Sequence, residues 1–484
     1  MGLGGSGAQP ADLMAAATEA ALTDACGHPM VDEVVCISVP QGSWSYPDPA
    51  RLVAERVGAK AARTELSELG IPQQRLVNQA LSAIRAGAGG LFVVTGGEAK
   101  RWERDRTAAA GEADGPAEAQ QPGAVPDVIH RRPGPLLEPI EVRHRLWEPI
   151  QQYAMIENAL VAAEGRTVAE GRTEVAGLWA KFNEVARSNP LAAFPKALDA
   201  AAIDTPSPDN RPLAFPYNKW HASQWTVDQA AALVLCSVET ARRLRVPPER
   251  WVFPVVGLDS SHAVSLLARR QPETWPAMEA LGRAAATRIG RPVGECEVIE
   301  VYSCFPSAVR VQQRALGLDP DGVPTVTGGM AFAGGPFNNF VLQATVAVAE
   351  RLRGDLSALG LVTTVSGLLT KPGIGVWSAG PDGRPPLVGD LAGEAAAATE
   401  VVEVADDVAA TEDAVGGAAS VATVVTGTVT YDGLEPVRTL ALCDRPDGRR
   451  TVAMSEDRSL AAHVVAHGLA GESVEVRGGE LLFG

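Results

Sequence analysis

One unit recurs along this chain: an amphipathic helical stretch, a glycine break, then an apolar run of strand length. Ala11 to Cys26 has helical spacing and passes through Gly27-His28-Pro29 into Val34-Val35-Cys36-Ile37-Ser38-Val39. Leu76 to Arg85 ends at Gly87 and leads into Leu91-Phe92-Val93-Val94-Thr95, bounded by Gly96-Gly97. Short apolar runs placed between helices read as strands buried on both faces of an α/β sheet. The unit then returns. Apolar Ala230 to Cys236 precedes a helix with Arg242, Arg243 and Arg245, a strand from Trp251 to Leu258 and a helix from Trp275 to Ile289. A strand from Glu297 to Tyr302, helices Ala308 to Ala315 and Phe340 to Leu352, and runs near Val362 to Val365 and Gly375 to Ser378 complete it. The order predicts two similar α/β halves.

Three segments interrupt that plan. Arg106 to Pro126 is rich in Ala, Gly, Glu, Pro and Gln without periodicity, which predicts an exposed loop. Residues 146–190 carry Trp147, Ile150, Tyr153, Leu160, Leu178, Trp179 and Phe182 at helical spacing, which predicts a helical insertion over one end of the sheet. From Gly393 to Gly417 there are seven acidic residues and no basic one, which predicts a solvated linker or frayed helix. Beyond it, short β-branched runs (Ala422 to Tyr431, Val437 to Cys443, Thr451 to Met454, Ser473 to Val476, Glu480 to Phe483) and one helical stretch, Ser459 to His467, predict a small β-barrel.

A net charge of −16 excludes a general grip on a phosphate backbone, so nucleic acid is not an expected partner. No segment has the apolar length of a membrane span and the start lacks signal-peptide features, so a cytoplasmic protein without a membrane partner is expected. The six cysteines show no CxxC spacing, which points to reduced thiols rather than a zinc site or a disulfide framework. Gly2-Leu3-Gly4-Gly5-Ser6-Gly7 matches GxGxxG only on paper, because no strand precedes it. Asp259-Ser260-Ser261-His262 reads as a loop, and Lys100, Arg101, Arg104 and Arg106 as a solvated basic face. His463 and His467 share a helical face but lack a third ligand nearby.

Particular strings go further. Thr327-Gly328-Gly329-Met330-Ala331-Phe332-Ala333-Gly334-Gly335-Pro336 is similar to the glycine-rich loop that carries the catalytic histidine of thiolases, with Gly335 at the histidine's place. Tyr302-Ser303-Cys304-Phe305 resembles the thiolase Asn-Glu-Ala-Phe or His-Asp-Cys-Phe string, with Tyr302 at its head. His221-Ala222-Ser223-Gln224 resembles the segment whose serine contacts coenzyme A. Counting back from Ile84-Arg85-Ala86-Gly87 puts the nucleophilic cysteine's place at Gly70-Ile71, and Val365-Ser366-Gly367-Leu368 stands where the second cysteine would be. With its C-terminal β segment, the chain most resembles the actinobacterial thiolase-like proteins of type one, which are acetyl-CoA acetyltransferase-like and carry an added OB-like domain.

The resemblance implies a duplicated thiolase fold of α/β/α layers in two similar halves. The first half is expected at residues 1–250, including a helical loop domain at about 106–215, and the second at 251–392. An acidic linker at 393–420 and an OB-like domain at 421–484 follow. It implies a pocket from Ser303, Cys304, Phe305, Gly334, Pro336 and Asn338, a coenzyme A contact at Ser223, and lost catalytic positions at Gly70, Ile71, Gly335 and Ser366. It also implies a strand before the first helix, where this sequence offers only Met1 to Pro10.

Acyl transfer needs a thiolate and an imidazole, and glycine supplies neither. The expectation is therefore an acyl-CoA-binding protein of lipid or sterol metabolism without thiolase activity, needing no cofactor beyond the coenzyme A thioester itself, as monomer or dimer. Two alternatives stand beside it. One is a retro-aldolase acting on a β-hydroxyacyl-CoA with Tyr302 as its catalytic residue, since some superfamily members are tyrosine-dependent aldolases that associate with an OB-fold partner. The other is a structural partner of another acyl-CoA enzyme.

Overall fold

The computed structural model describes residues 8–28, 30–110, 120, 123–405 and 420–482. The glycine-rich start, Pro29, the middle of the Arg106 to Pro126 segment, the acidic residues 406–419 and Phe483 lie outside the described residues.

The first sheet is built from β1 (Val34–Pro40), β2 (Arg63–Ser67), β3 (Leu91–Ala99) and β4 (Val128–His130). Beyond the pair β5 (Pro212–Ala214) and β6 (Tyr217–Asn218), which serves another sheet, β7 (Asp228–Leu235) completes it in the order β4-β2-β1-β3-β7. Its first four strands are parallel and β7 is antiparallel. The second sheet holds β8 (Phe253–Asp259), β9 (Val298–Glu300), β10 (Leu359–Ser366), β11 (Lys371–Ser378) and β12 (Leu387–Asp390), ordered β12-β8-β11-β10-β9. The duplication is visible in the pairing: β1 runs parallel to β3, which meets β7 antiparallel, just as β9 runs parallel to β10, which meets β11 antiparallel.

The halves differ beyond that shared ladder. In the second, β11 pairs onward with β8; among the described residues β7 has no such neighbour, and helix α1 (Pro10–Cys26) lies along β7 and β3 instead. The strand implied before the first helix therefore has no counterpart among the described residues, and α1 covers the sheet where it would end. α1 is well delimited: Pro10 sits at its first turn, Asp12 Oδ2 accepts from Gln9 N at 3.1 Å, and Gly27 stops it at φ 77°.

Two helices lie between the sheets and touch strands of both, α3 (Gln74–Arg85), which follows α2 (Pro49–Val57) in the chain, and helix Phe340–Leu352. Phe340, Val341, Leu342, Val348 and Leu352 are buried at 1% exposure or less, and each such side chain contributes about 1.5–3 kcal/mol by leaving water. The N-termini of these two helices carry the segments that matter for function.

The helical insertion contains helices Pro149–Ala163 and Val168–Ser188. Two pieces assigned to it from sequence belong elsewhere: β4 extends the first sheet, and β5 and β6 join the C-terminal sheet. The expected loop after Arg106 is in part helix, because α4 (Lys100–Ala110) continues through it.

The C-terminal strands β13 (Ser420–Asp432), β14 (Glu435–Asp444), β15 (Arg450–Ser455), β16 (Ser473–Arg477) and β17 (Glu480–Leu482) close on themselves, since β13 pairs with both β14 and β16. Helix Arg458–His467 packs on this barrel through buried Leu460, Ala461 and Val464. The expected solvated linker is a packed segment over its described part. Ala392–Ala398 is helical, Val402 N donates to Ala268 O at 2.8 Å, and Ala405 N donates to Arg450 O at 2.7 Å. Backbone groups buried between two bodies find partners in both, and this ordering outweighs the charge pattern.

Candidate functional site

The glycine-rich loop turns on Gly328 and Gly329, at φ 95° and 74°, where a side chain would strike Ala186 and Phe182. Met330 N then donates to Ser303 Oγ at 3.1 Å and Gln224 N to Met330 O at 3.1 Å. Ser223 N donates to Cys304 O at 2.9 Å. Five of the sequence-predicted residues thus meet: Ser223, Ser303, Cys304, Gly334 and Gly335. Gly334, at φ 109°, presses on the Gln229 side chain, whose Nε2 donates to Ala333 O at 2.9 Å.

At Gly335 there is no room for any side chain, because a Cβ would collide with Ser223 Oγ and lie 3.2 Å from Met330 Cβ. Its backbone N–H, the one polar donor glycine retains, already donates to Gln224 O at 3.0 Å. That donor is therefore spent inside the loop. Pro336 and Asn338 continue the loop, and Asn338 links the halves by accepting from Gln73 Nε2 and donating Nδ2 to Gln41 O at 3.1 Å.

Tyr302 and Phe305 occupy the wall behind the loop. Tyr302 packs edge-on to Phe340 with ring centroids 6.0 Å apart, and Phe305 stacks on Tyr153 at 4.6 Å. Tyr302 is 8% exposed, and its hydroxyl has no hydrogen-bond partner among the described residues. Burial drives its pKa well above the ordinary phenol value, so it is neutral at physiological pH. Cys304 is buried too, and desolvation pushes its thiol up to about 12, which makes it a core residue rather than a nucleophile.

The place that the resemblance gives to a nucleophile lies at the entry to α3. Gly70 has φ 94°, Ile71 is buried at 6% exposure, and neither offers a reactive group. Beside them opens a cavity of about 280 Å³ whose lining includes Gly70, Ile71, Arg75, His130 and Lys371 but not Tyr302, Gly335 or Ser366. Ser366 pairs with Lys371 across the β10–β11 hairpin, whose turn holds Gly367, Leu368 and Leu369 all at positive φ. Of the positions expected from the resemblance to have lost catalytic groups, Gly70 and Ile71 line this cavity and Gly335 and Ser366 do not.

Sequence reasoning missed Lys371, Arg75, Gln73, Gln224 and Gln229. Arg75 Nε donates to Asp259 Oδ2 at 2.6 Å and Asn78 Nδ2 to Asp259 Oδ1 at 2.8 Å, which fastens α3 to the end of β8. Gln73, Gln74 and Asn78 at the start of α3 were the available signal, since polar side chains on a buried helix end need partners. Asp259 to His262 holds no triad: Asp259 serves Arg75, and Ser261 Oγ donates to Asp390 Oδ2 at 2.7 Å. Lys100 pairs with Glu103 at 2.6 Å and exposed Arg104 with Asp105 at 2.7 Å, while half-buried Lys100, Arg101 and Arg106 lie over the rings of Trp225, Phe194 and Trp102. His463 and His467 stack at 4.5 Å, and no metal-ligating cluster of three occurs among the described residues. No helix there is long and apolar enough to cross a membrane.

No family model matches the chain, and no curated protein matches it in sequence. Solved structures do. The monomeric SCP2-thiolase like protein type 1 from Mycobacterium smegmatis aligns at TM-score 0.81 and 24% identity, over 100% of this chain and 97% of that one. An assembly described as the Ltp2-ChsH2(DUF35) aldolase aligns at TM-score 0.58 and 17% identity, over 78% of this chain and 95% of that one. At such identities the likeness speaks for the fold. The chain therefore has the duplicated thiolase fold with a small C-terminal barrel, the architecture it shares with the SCP2-thiolase like protein type 1.

Proposed function

We propose that the protein binds a coenzyme A thioester, within lipid or sterol metabolism, without accepting the acyl group covalently. The observation that carries this reading is the closure at Gly335: Ser223 fills the imidazole's place and Gln224 takes the remaining N–H, while Gly70 and Ile71 bring no thiol. Thiolase chemistry needs those groups as a unit, and their joint absence leaves binding without transfer. Support for a thioester ligand comes from Ser223 on the segment that resembles a coenzyme A contact, and from the fold. The test is titration of the full chain with acyl-CoAs of graded length, followed by intact mass measurement. Saturable binding without a mass increase is expected; an acyl adduct on any cysteine, or no binding at millimolar acyl-CoA, overturns the reading.

A second reading is favoured by the unpartnered hydroxyl of Tyr302. As a neutral phenol it would act as a hydrogen-bond donor or general acid in cleaving a β-hydroxyacyl-CoA, not as a base. Tyr302→Phe separates the two, because it abolishes aldol cleavage yet leaves thioester binding unchanged.

A further inference from the structure

We propose that the cavity beside Gly70 and Ile71 is a binding site for a small carboxylate, with the Lys371 ammonium as its counter-charge. The cavity measures about 280 Å³, at the lower edge of small-molecule pockets, which begin near ~300 Å³. Its size suits a short organic acid.

The charges around it are almost all paired. Arg75 engages Asp259 and reaches Asp390 at 2.7 Å. Arg131 pairs with Glu68 at 3.0 Å, and His130 lies between Glu65 at 3.1 Å and Gln79 at 3.0 Å. Arg132, close by, donates to the carbonyls of Gly134 and Leu69. Lys371 differs. It is 3% exposed and lines the cavity, and its ammonium has no hydrogen bond or ion pair among the described residues.

An ammonium with no protein partner, in a largely desolvated site that opens on a cavity, favours an anion brought in from outside. The surroundings agree: burial, then the positive charges of Arg132 and Arg75, hold the Lys371 pKa below its usual value, and an incoming anion would offset all three. One unpaired positive charge matches one negative charge. A carboxylate supplies that, whereas a phosphate dianion brings a second charge for which the wall has no free cation.

This site shares Gly70 and Ile71 with the emptied thiolase centre but requires no coenzyme A, so the two proposals fail separately. The test is calorimetric titration of the full chain near neutral pH with butyrate, acetate and inorganic phosphate, in the wild type, Lys371→Met and Lys371→Arg. A carboxylate should bind, Lys371→Met should weaken it about tenfold or more, the loss expected for a charged hydrogen bond, and Lys371→Arg should retain most of it. Thermal melting of each variant confirms that it folds. Equal binding by Lys371→Met, phosphate binding as tight as the best carboxylate, or no binding of any of the three by the wild type overturns the proposal.

Discussion

At Gly335 the glycine-rich loop is packed tight against its neighbours; at Gly70 the protein leaves a cavity open. The first corner is filled by neighbours: Ser223, Gln224 and Met330 occupy the space and the one free backbone donor. The second keeps a cavity and a buried, unpaired lysine. The contrast teaches that two glycine-bearing corners of one fold need not pack alike. Where backbone lines the gap, close packing heals it. Where charged side chains on separate elements face each other, the space persists, because closing it would press Lys371 against Arg132 and Arg75 without new partners.

The largest expected effect comes from forcing the closed corner open. Gly335→Ala should lower stability by about 3 kcal/mol, the upper range for overpacking, as read by urea unfolding, and Ser223→Gly in the same chain should restore most of it. An equal loss in both backgrounds would mean that Ser223 is not what closes the corner. Gly70→Ala should cost about 1–2 kcal/mol, since the residue sits at φ 94° and its Cβ would meet Leu136. A loss as large as that of Gly335→Ala would erase the contrast.

Lys371→Met should stabilise the unliganded protein, by about 1 kcal/mol, because it removes a desolvated charge that nothing pairs. The sign of the pH dependence follows. A lysine whose folded pKa is lowered binds fewer protons folded than unfolded between that value and the ordinary 10.5. Wild-type stability from this group therefore rises with pH across that window, and the advantage of Lys371→Met should shrink there. A constant difference would place the ammonium in water. Arg131→Gln should change stability by less than about 0.5 kcal/mol, since its pair with Glu68 is exposed on the arginine side.

Much of this fold was legible because apolar periodicity and helix stops coincide with the elements. Helix Phe340–Leu352 has the bounds its pattern predicts, and Pro306 and Gly317 delimit a helix expected only over Ala308 to Ala315. β2 was invisible for a physical reason. Arg63-Thr64-Glu65-Leu66-Ser67 has no apolar run, yet Glu65 is buried by accepting from Ser38 Oγ at 3.1 Å and by facing His130. Hydrogen bonds between remote segments hide in a hydropathy pattern. Lys371 was missed likewise: beside Pro372 it reads as a turn residue, and its burial depends on segments some 300 residues away in sequence. The glycine-rich loop was found by its string, but the collision that closes it needed the geometry of Ser223.

The barrel is joined to the rest by more than its covalent tether. Phe215 of the insertion lies in the barrel core, its N–H donates to Val429 O at 2.9 Å, and Asn158 Nδ2 donates to Gly427 O at 2.7 Å. Arg450, 1% exposed, donates from β15 to the carbonyls of Arg269 and Arg270. Mechanically, the chain behaves as one block: a protease cut between residues 406 and 419 would sever the peptide but leave the pieces co-eluting, and heat would melt them in a single step.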